Sequence, residues 1–250
     1  MSQAIVRIRN LSRVFRTSAA EVKALDDVSL DIEETDFCAL MGPSGSGKTT
    51  LLNVICGIEK PTSGSVHVGD VEVPKLGDDE LADWRNRHIG FVFQTFNLIP
   101  VLTAAENIEL PLLLTGLSKS DRREHVRTAL SLVDLSDRAN HYPRQLSGGQ
   151  QQRIAIARAI ITEPDIILAD EPTGNLDAHS AEEALALLHA LNDDLRKTII
   201  MVTHDPRATR YVKTTRHIDK GRLLQPDATG EQPVSDYELS DTGIQKWVAQ

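Results

Sequence analysis

The run Gly42-Pro43-Ser44-Gly45-Ser46-Gly47-Lys48-Thr49 has the spacing G-x-x-x-x-G-K-[ST] of a phosphate-binding loop. Its glycines let backbone N–H groups curl around nucleotide phosphates, and the helix that follows presents its positive N-terminus to them. Lys48 then sets an ammonium against the terminal phosphates, the Thr49 hydroxyl serves as a Mg²⁺ ligand, and Thr50 extends the cradle. A bare glycine-rich turn is the bland alternative. The apolar run before the loop and the helical pattern after it argue against that.

A second chemical group lies at Asp170-Glu171, directly after the apolar run Ile166 to Ala169. A strand ending there delivers both carboxylates to the sheet edge where nucleotides sit in such folds. Asp170 is placed to hold Mg²⁺ through water, and Glu171 to polarise the attacking water as general base. Two acids at a strand end also fit a solvated turn, and the phosphate loop is what favours chemistry. Gln94 follows Ile89 to Phe93, where its amide reaches both metal and water. His204 follows Ile199 to Thr203, where its imidazole meets the γ-phosphate. The other seven histidines read as packed or solvated side chains.

Leu146-Ser147-Gly148-Gly149-Gln150 has a separate logic. Ser147 caps the helix that follows, and Gly148-Gly149 leaves its first N–H groups open to an anion. An ordinary Ser/Gly helix start looks the same in isolation. The chain's own phosphates are already held at the Lys48 helix, so a second anion site serves the nucleotide of another copy. Two chains related head to tail by a twofold axis would then sandwich two nucleotides.

These groups need a scaffold that brings strand ends together. Ile5 to Ile8, Val14-Phe15 and Val28 to Ile32 alternate as strands, and Phe37 to Met41 is a strand buried on both faces. A helix over Lys48 to Cys56 is followed by a turn at Pro61 to Gly64 and a hairpin at Ser65 to Val73 around Gly69-Asp70. Ile89 to Phe93 is another strand. Thr103 to about Ala139 is helical, broken early by Pro111. Helices over Gly149 to Thr162 and Ala181 to Leu195 alternate with strands at Ile166 to Ala169 and Thr198 to Thr203, before a hairpin at His217 to Leu224. The economical arrangement is an all-parallel α/β core with two appendages. After Gln225 the Pro-, Gly- and charge-containing segment reads as weakly ordered, with room for a short terminal helix near Ile244 to Val248; a docking element that places Trp247 on a partner is the alternative.

Composition narrows the partners. With 27 basic against 36 acidic side chains the net charge is −9, a field that disfavours nucleic acid. Cys38 and Cys56 sit in apolar runs and read as free core thiols of a reducing compartment. Neither a signal peptide nor an apolar run near the ~18 residues of a membrane span is expected, so any membrane role comes through a partner.

In this order the motifs resemble the ATP-binding subunits of ABC transporters, over about residues 3–225: phosphate loop, Gln94, Leu146 to Gln150, Asp170-Glu171, Asn175-Leu176-Asp177 and His204. The resemblance implies a P-loop NTPase (RecA-like) α/β core with an N-terminal antiparallel β-subdomain and an inserted α-helical subdomain at about 95–160. Residues 1–225 would form the ATP-binding domain and 226–250 a tail outside the pattern. It implies an ATPase using ATP and Mg²⁺, with Ser147, Gly149, Gln150 and Asp177 contributing to ATP across a homodimer. Phe15 would correspond to the aromatic that stacks on adenine, keeping the ring but lacking the hydroxyl of the usual Tyr.

Gly90 to Leu98, Glu106 to Pro111 and Asp170 to Asp177 are most similar to the macrolide-exporter and lipoprotein-release group. That implies a cytoplasmic subunit held on the inner face of the membrane by a permease with a large extracytoplasmic domain. The work done would be export, lipoprotein release or mechanotransmission. The alternative within the family is a cell-division ATPase of the FtsE type. A chromosome-maintenance ATPase would insert a long coiled coil, and no sustained heptads separate the loop from Leu146. A kinase or GTPase would leave Leu146 to Gln150 without a role.

Overall fold

The structure, a computed structural model, describes residues 4–16 and 20–224. The readings for 226–250, including Trp247, lie outside the described residues. Two sheets organise the chain. The first is antiparallel, ordered β2-β1-β4-β5, from β1 (Ala4–Arg16), β2 (Glu21–Glu33), β4 (Ser63–Val68) and β5 (Val71–Glu72). The second is ordered β10-β9-β3-β8-β7-β6, from β3 (Phe37–Met41), β6 (Ile89–Val92), β7 (Ile166–Asp170), β8 (Thr198–Thr203), β9 (Thr214–Asp219) and β10 (Arg222–Leu223).

Strands β3, β6, β7, β8 and β9 run parallel, so their C-terminal ends share one edge. From that edge Met41, Asp170, Thr203 and Val92 pass into the phosphate loop, Glu171, His204 and the Gln94 segment. The core is not all-parallel: β10 closes it antiparallel to β9, a hairpin that starts at Thr214, ahead of the expected His217.

The period of two along the central strands splits the interior into two cores. Phe37, Ala39, Ile167, Ala169, Ile199 and Met201 face one side. There they meet α3 (Ala104–Glu109), α4 (Lys119–Leu132), α5 (Gly148–Ile160) and α6 (Ala178–Asp193). Cys38, Leu40, Ile166, Leu168, Ile200 and Val202 face the other, against α1 (Lys48–Ile55) and the antiparallel sheet. Both cysteines are free and buried, and burial pushes the Cys38 thiol up to about 12 and Cys56 to about 11.

Three boundaries differ from the sequence expectation for local reasons. Strands at Ile5 to Ile8 and at Val14-Phe15 are one strand, whose register slips around Asn10 at φ 46° and so hides the alternation. The helical stretch after Thr103 is two helices separated by a 3₁₀ segment, Leu110–Leu114, that carries Pro111 in its first turn. Helix α2 (Asp78–His88) was not expected, because only Leu81 and Trp84 of its eleven residues are buried. Its signal was electrostatic: Asp78, Asp79 and Glu80 open it, Arg85, Arg87 and His88 close it, and Glu80 Oε2 accepts from Gly77 N at 3.1 Å. Among the described residues no helix is long and apolar enough to cross a membrane.

Candidate functional site

The parallel edge opens into a cleft of about 750 Å³. The loop contributes Pro43, Ser44, Gly45, Gly47, Lys48, Thr49 and Thr50 to its wall, and Gln94, Glu171 and His204 converge on it from three other strand ends. Gly47 has to be glycine: its φ is 103°, and a Cβ there would stand 2.3 Å from the Ala24 carbonyl oxygen. Gly42 and the buried Ser46 complete the loop behind the wall. Sequence reasoning missed Val22, Lys23, Ala24 and Lys220, which also line the cleft. They arrive through tertiary pairing: Gly221 N donates to Ser46 O at 2.9 Å and Asp26 N to Gly221 O at 2.8 Å.

Lys48 is the buried cation of the site. Its Nζ donates to the carbonyls of Gly42 (2.8 Å) and Pro43 (3.0 Å) and stands 3.9 Å from Glu171 Oε1. A desolvated ammonium held by its own loop is primed to exchange carbonyl partners for phosphate oxygens. Glu171 follows β7 in a left-handed conformation, φ 46°, which costs a residue with a Cβ about 1–2 kcal/mol and must be held by its surroundings. Its N–H donates to Val202 O at 2.9 Å, and its own carbonyl accepts from Gly174 N at 3.0 Å. The carboxylate Oε2 accepts from His204 N at 3.3 Å and lies 2.9 Å from His204 Nδ1. Toward an ionised carboxylate Nδ1 carries the proton. Nε2 can then donate to a phosphate only from the imidazolium or after the ring leaves Glu171.

Asp170, the last residue of β7, accepts from the Thr49 hydroxyl at 3.0 Å. Burial is the main influence on this carboxyl and raises it above the usual carboxylate range, against the lowering effect of the Thr49 hydrogen bond. A raised folded-state value means that the fold binds the proton more tightly than the unfolded chain, so stability rises as pH falls. Asp170→Asn removes that penalty while keeping an acceptor for Thr49. We therefore expect it to melt higher than the native chain at pH 7, with the gap closing as pH falls through the carboxylate range. A lower melting point at pH 7 would contradict this.

Gln94 lies two residues beyond the end of β6, exposed at the rim against Gly174, and its carbonyl accepts from Asn175 Nδ2 at 2.8 Å. Phe15 does not line the cleft. It pairs across the strands with Val22, which does, and its ring carries the Arg13 guanidinium 4.5 Å from the centroid.

Ser147, Gly149, Gln150 and Asp177 also lie away from the cleft wall. Ser147 is the N-cap of α5: its hydroxyl accepts from Gln150 N at 3.2 Å, while Gln150 Oε1 accepts from Ser147 N at 3.0 Å. Gly148 and Gly149 open the helix, so their N–H groups have no partner within it; Gly148 is half-buried and Gly149 buried. Gly149 must be small, since a Cβ would stand 2.7 Å from Ser180 Oγ. Asp177 caps α6, its carboxylate accepting from His179 N and Ser180 N at 3.0 Å each and from Ser180 Oγ at 2.9 Å. These bonds, with Ser180 foremost, hold its carboxyl below the usual range.

Residues 25–174 match the ABC transporter family. The uncharacterised ABC transporter ATP-binding protein MJ0796 of Methanocaldococcus jannaschii is 45% identical over 223 residues, 88% of this chain and 95% of that protein. The macrolide export ATP-binding/permease protein MacB of Burkholderia thailandensis is 42% identical over 250 residues, which is 98% of this chain but 38% of that protein. The second similarity reaches into 226–250, the segment that the motifs leave outside the pattern. A dimeric, post-hydrolysis structure of the MJ0796 cassette bound to ADP and Pi matches with a TM-score of 0.82 at 43% identity, covering 90% of this chain and all (100%) of that one. Matched across more than half its length by the family, and nearly end to end by an ATP-binding cassette of known structure, the chain belongs to the ABC transporters.

Proposed function

We propose that this chain is an ATP-hydrolysing cassette that pairs with a second copy around two ATP molecules and drives a separate membrane permease. The observation that carries the proposal is the division of its anion-binding features. One set, Lys48 to Thr50 with Glu171 and His204, surrounds the cleft, whereas the Ser147–Gly149 helix start is not part of its wall. A helix start outside the chain's own nucleotide cleft is explained by the nucleotide of a partner copy. The dimeric structures of the MJ0796 cassette, one of them bound to ADP and Pi, support the pairing of two copies.

Within that reading the phosphate loop wraps the β- and γ-phosphates, and Lys48 moves from the Gly42 and Pro43 carbonyls onto them. The Thr49 hydroxyl and the Asp170 carboxylate converge at 3.0 Å as a pair of hard oxygen donors, which fits a Mg²⁺ site completed by water, Gln94 and phosphate. Mg²⁺ bound there would neutralise charge on the phosphate oxygens. Glu171, fixed by His204, accepts the proton of a water aligned behind the γ-phosphate. Phe15 would meet the base from beside Val22, with Asp177 at the partner's edge. Reaction strips a phosphate from the sandwich, weakens the bridge between the copies and lets them part.

None of the described helices is long and apolar enough to cross a membrane, and this reading gives work on the membrane to a permease partner. The macrolide-export relative favours export, with lipoprotein release and mechanotransmission in the same group, over the cell-division alternative. The cassette would sit on the inner face of the membrane through a permease with an extracytoplasmic domain. The test is recovery of tagged Glu171→Gln protein with ATP from detergent-solubilised native membranes, followed by mass spectrometry. We expect a four-helix permease with a large extracytoplasmic domain. Recovery of a division-complex permease, or of soluble proteins alone, would contradict the export reading.

A further inference from the structure

Gln152 is fully buried on α5, five residues beyond the Ser147 cap, or about 7.5 Å along the helix axis. Its Nε2 donates to the carbonyl oxygen of Pro172 at 2.8 Å, the residue directly after Glu171. Its Oε1 is buried with no partner among the described residues. A buried amide satisfied on one side only is held by that side, and the bonded side reaches across from the helix to the loop bearing the carboxylate.

We infer that Gln152 is a positioning residue for hydrolysis, tying the helix that starts at Ser147 to the backbone that aims Glu171. The inference rests on the roles proposed above for those two residues. Proline fixes its own φ and the peptide bond is planar, so only ψ of Glu171 and ψ of Pro172 remain soft between the Glu171 Cα and the anchored oxygen. Glu171 itself holds a left-handed conformation that a free loop would relax. The other backbone anchors of this turn, Val202 O and Gly174 N, come from β8 and from the turn itself. Among the backbone bonds described for Glu171 and Pro172, Gln152 supplies the one that arrives from α5. In the ATP sandwich the α5 start meets the partner's nucleotide while Glu171 acts on the chain's own. Gln152 thus joins the two half-sites of one chain.

Gln152→Met keeps the buried volume and removes the donor; Gln152→Leu is a second form of the same test, with melting curves checking that each folds. We expect ATP affinity within about twofold of native and kcat lower by about tenfold to a hundredfold, the scale of a sub-ångström to ångström misplacement of a catalytic group. Because Gln152 acts through Glu171, Gln152→Met added to Glu171→Gln should slow single-turnover hydrolysis no further, and the double variant should still dimerise with ATP. Native kcat in a folded Gln152→Met protein would overturn the inference, as would fully additive losses or failed dimerisation of the double variant. Undiminished turnover in Glu171→Gln alone would instead remove the reading of the site on which the inference stands.

Discussion

Glu171→Gln is expected to hydrolyse ATP about a thousandfold more slowly than the native chain while still binding it. General-base assistance contributes about 10²–10⁴-fold, so a thousandfold loss corresponds to ~4 kcal/mol of barrier. The amide has the shape of the carboxylate and still offers an oxygen to His204 N, which lies 3.3 Å from Glu171 Oε2. What it lacks is basicity toward water. It also removes the negative charge 3.9 Å from Lys48 Nζ, which frees that ammonium for phosphate rather than hindering it. Phosphate release under saturating ATP, paired with equilibrium binding of ATP, separates the two effects. Turnover within tenfold of native would show that another group takes the proton.

Lys48→Ala is expected to lose hydrolysis by at least about 10²–10³-fold, the scale of removing one fixed electrostatic contact to developing charge. The loss extends to binding, because the ammonium meets phosphates in ground and transition states alike. Lys48 is 7% exposed at its side chain, so no solvent cation substitutes for it readily. The truncation also leaves the Gly42 and Pro43 carbonyls without the donor that holds them at 2.8 and 3.0 Å. The loop would slacken as well as lose charge. Native-like phosphate release in this variant would contradict the placement of phosphates in the loop.

Features set by neighbours along the chain were legible in the sequence. The phosphate loop, the Asp170-Glu171 strand end and the Ser147 cap each depend on residues within about one turn, and each sits where its spacing requires. The buried strands were legible because both faces are apolar, as in β8, all six of whose residues are buried. Helix α2 was not, since two buried side chains make too faint a stripe. Nor could spacing reveal Val22 and Lys220 on the cleft wall, or the bond from Gln152 to Pro172, 20 residues away. Those depend on how β2, the β9–β10 turn and α5 meet, which no local pattern records. Phe15 shows the same limit. The resemblance gives it a partner, but its position beside Val22 with Arg13 on its ring comes from the pairing of β1 and β2.

The central claim is that ATP is shared between two copies, and the mass of Glu171→Gln protein in solution tests it most directly. Light scattering with and without ATP is predicted to show a monomer that doubles in mass when ATP is added. Ser147→Arg in the same background is predicted to bind ATP and remain a monomer, because the bulky side chain blocks the exposed helix start without reaching the cleft. A monomeric mass for Glu171→Gln at saturating ATP, or loss of ATP binding by the isolated Ser147→Arg chain, would contradict the sandwich.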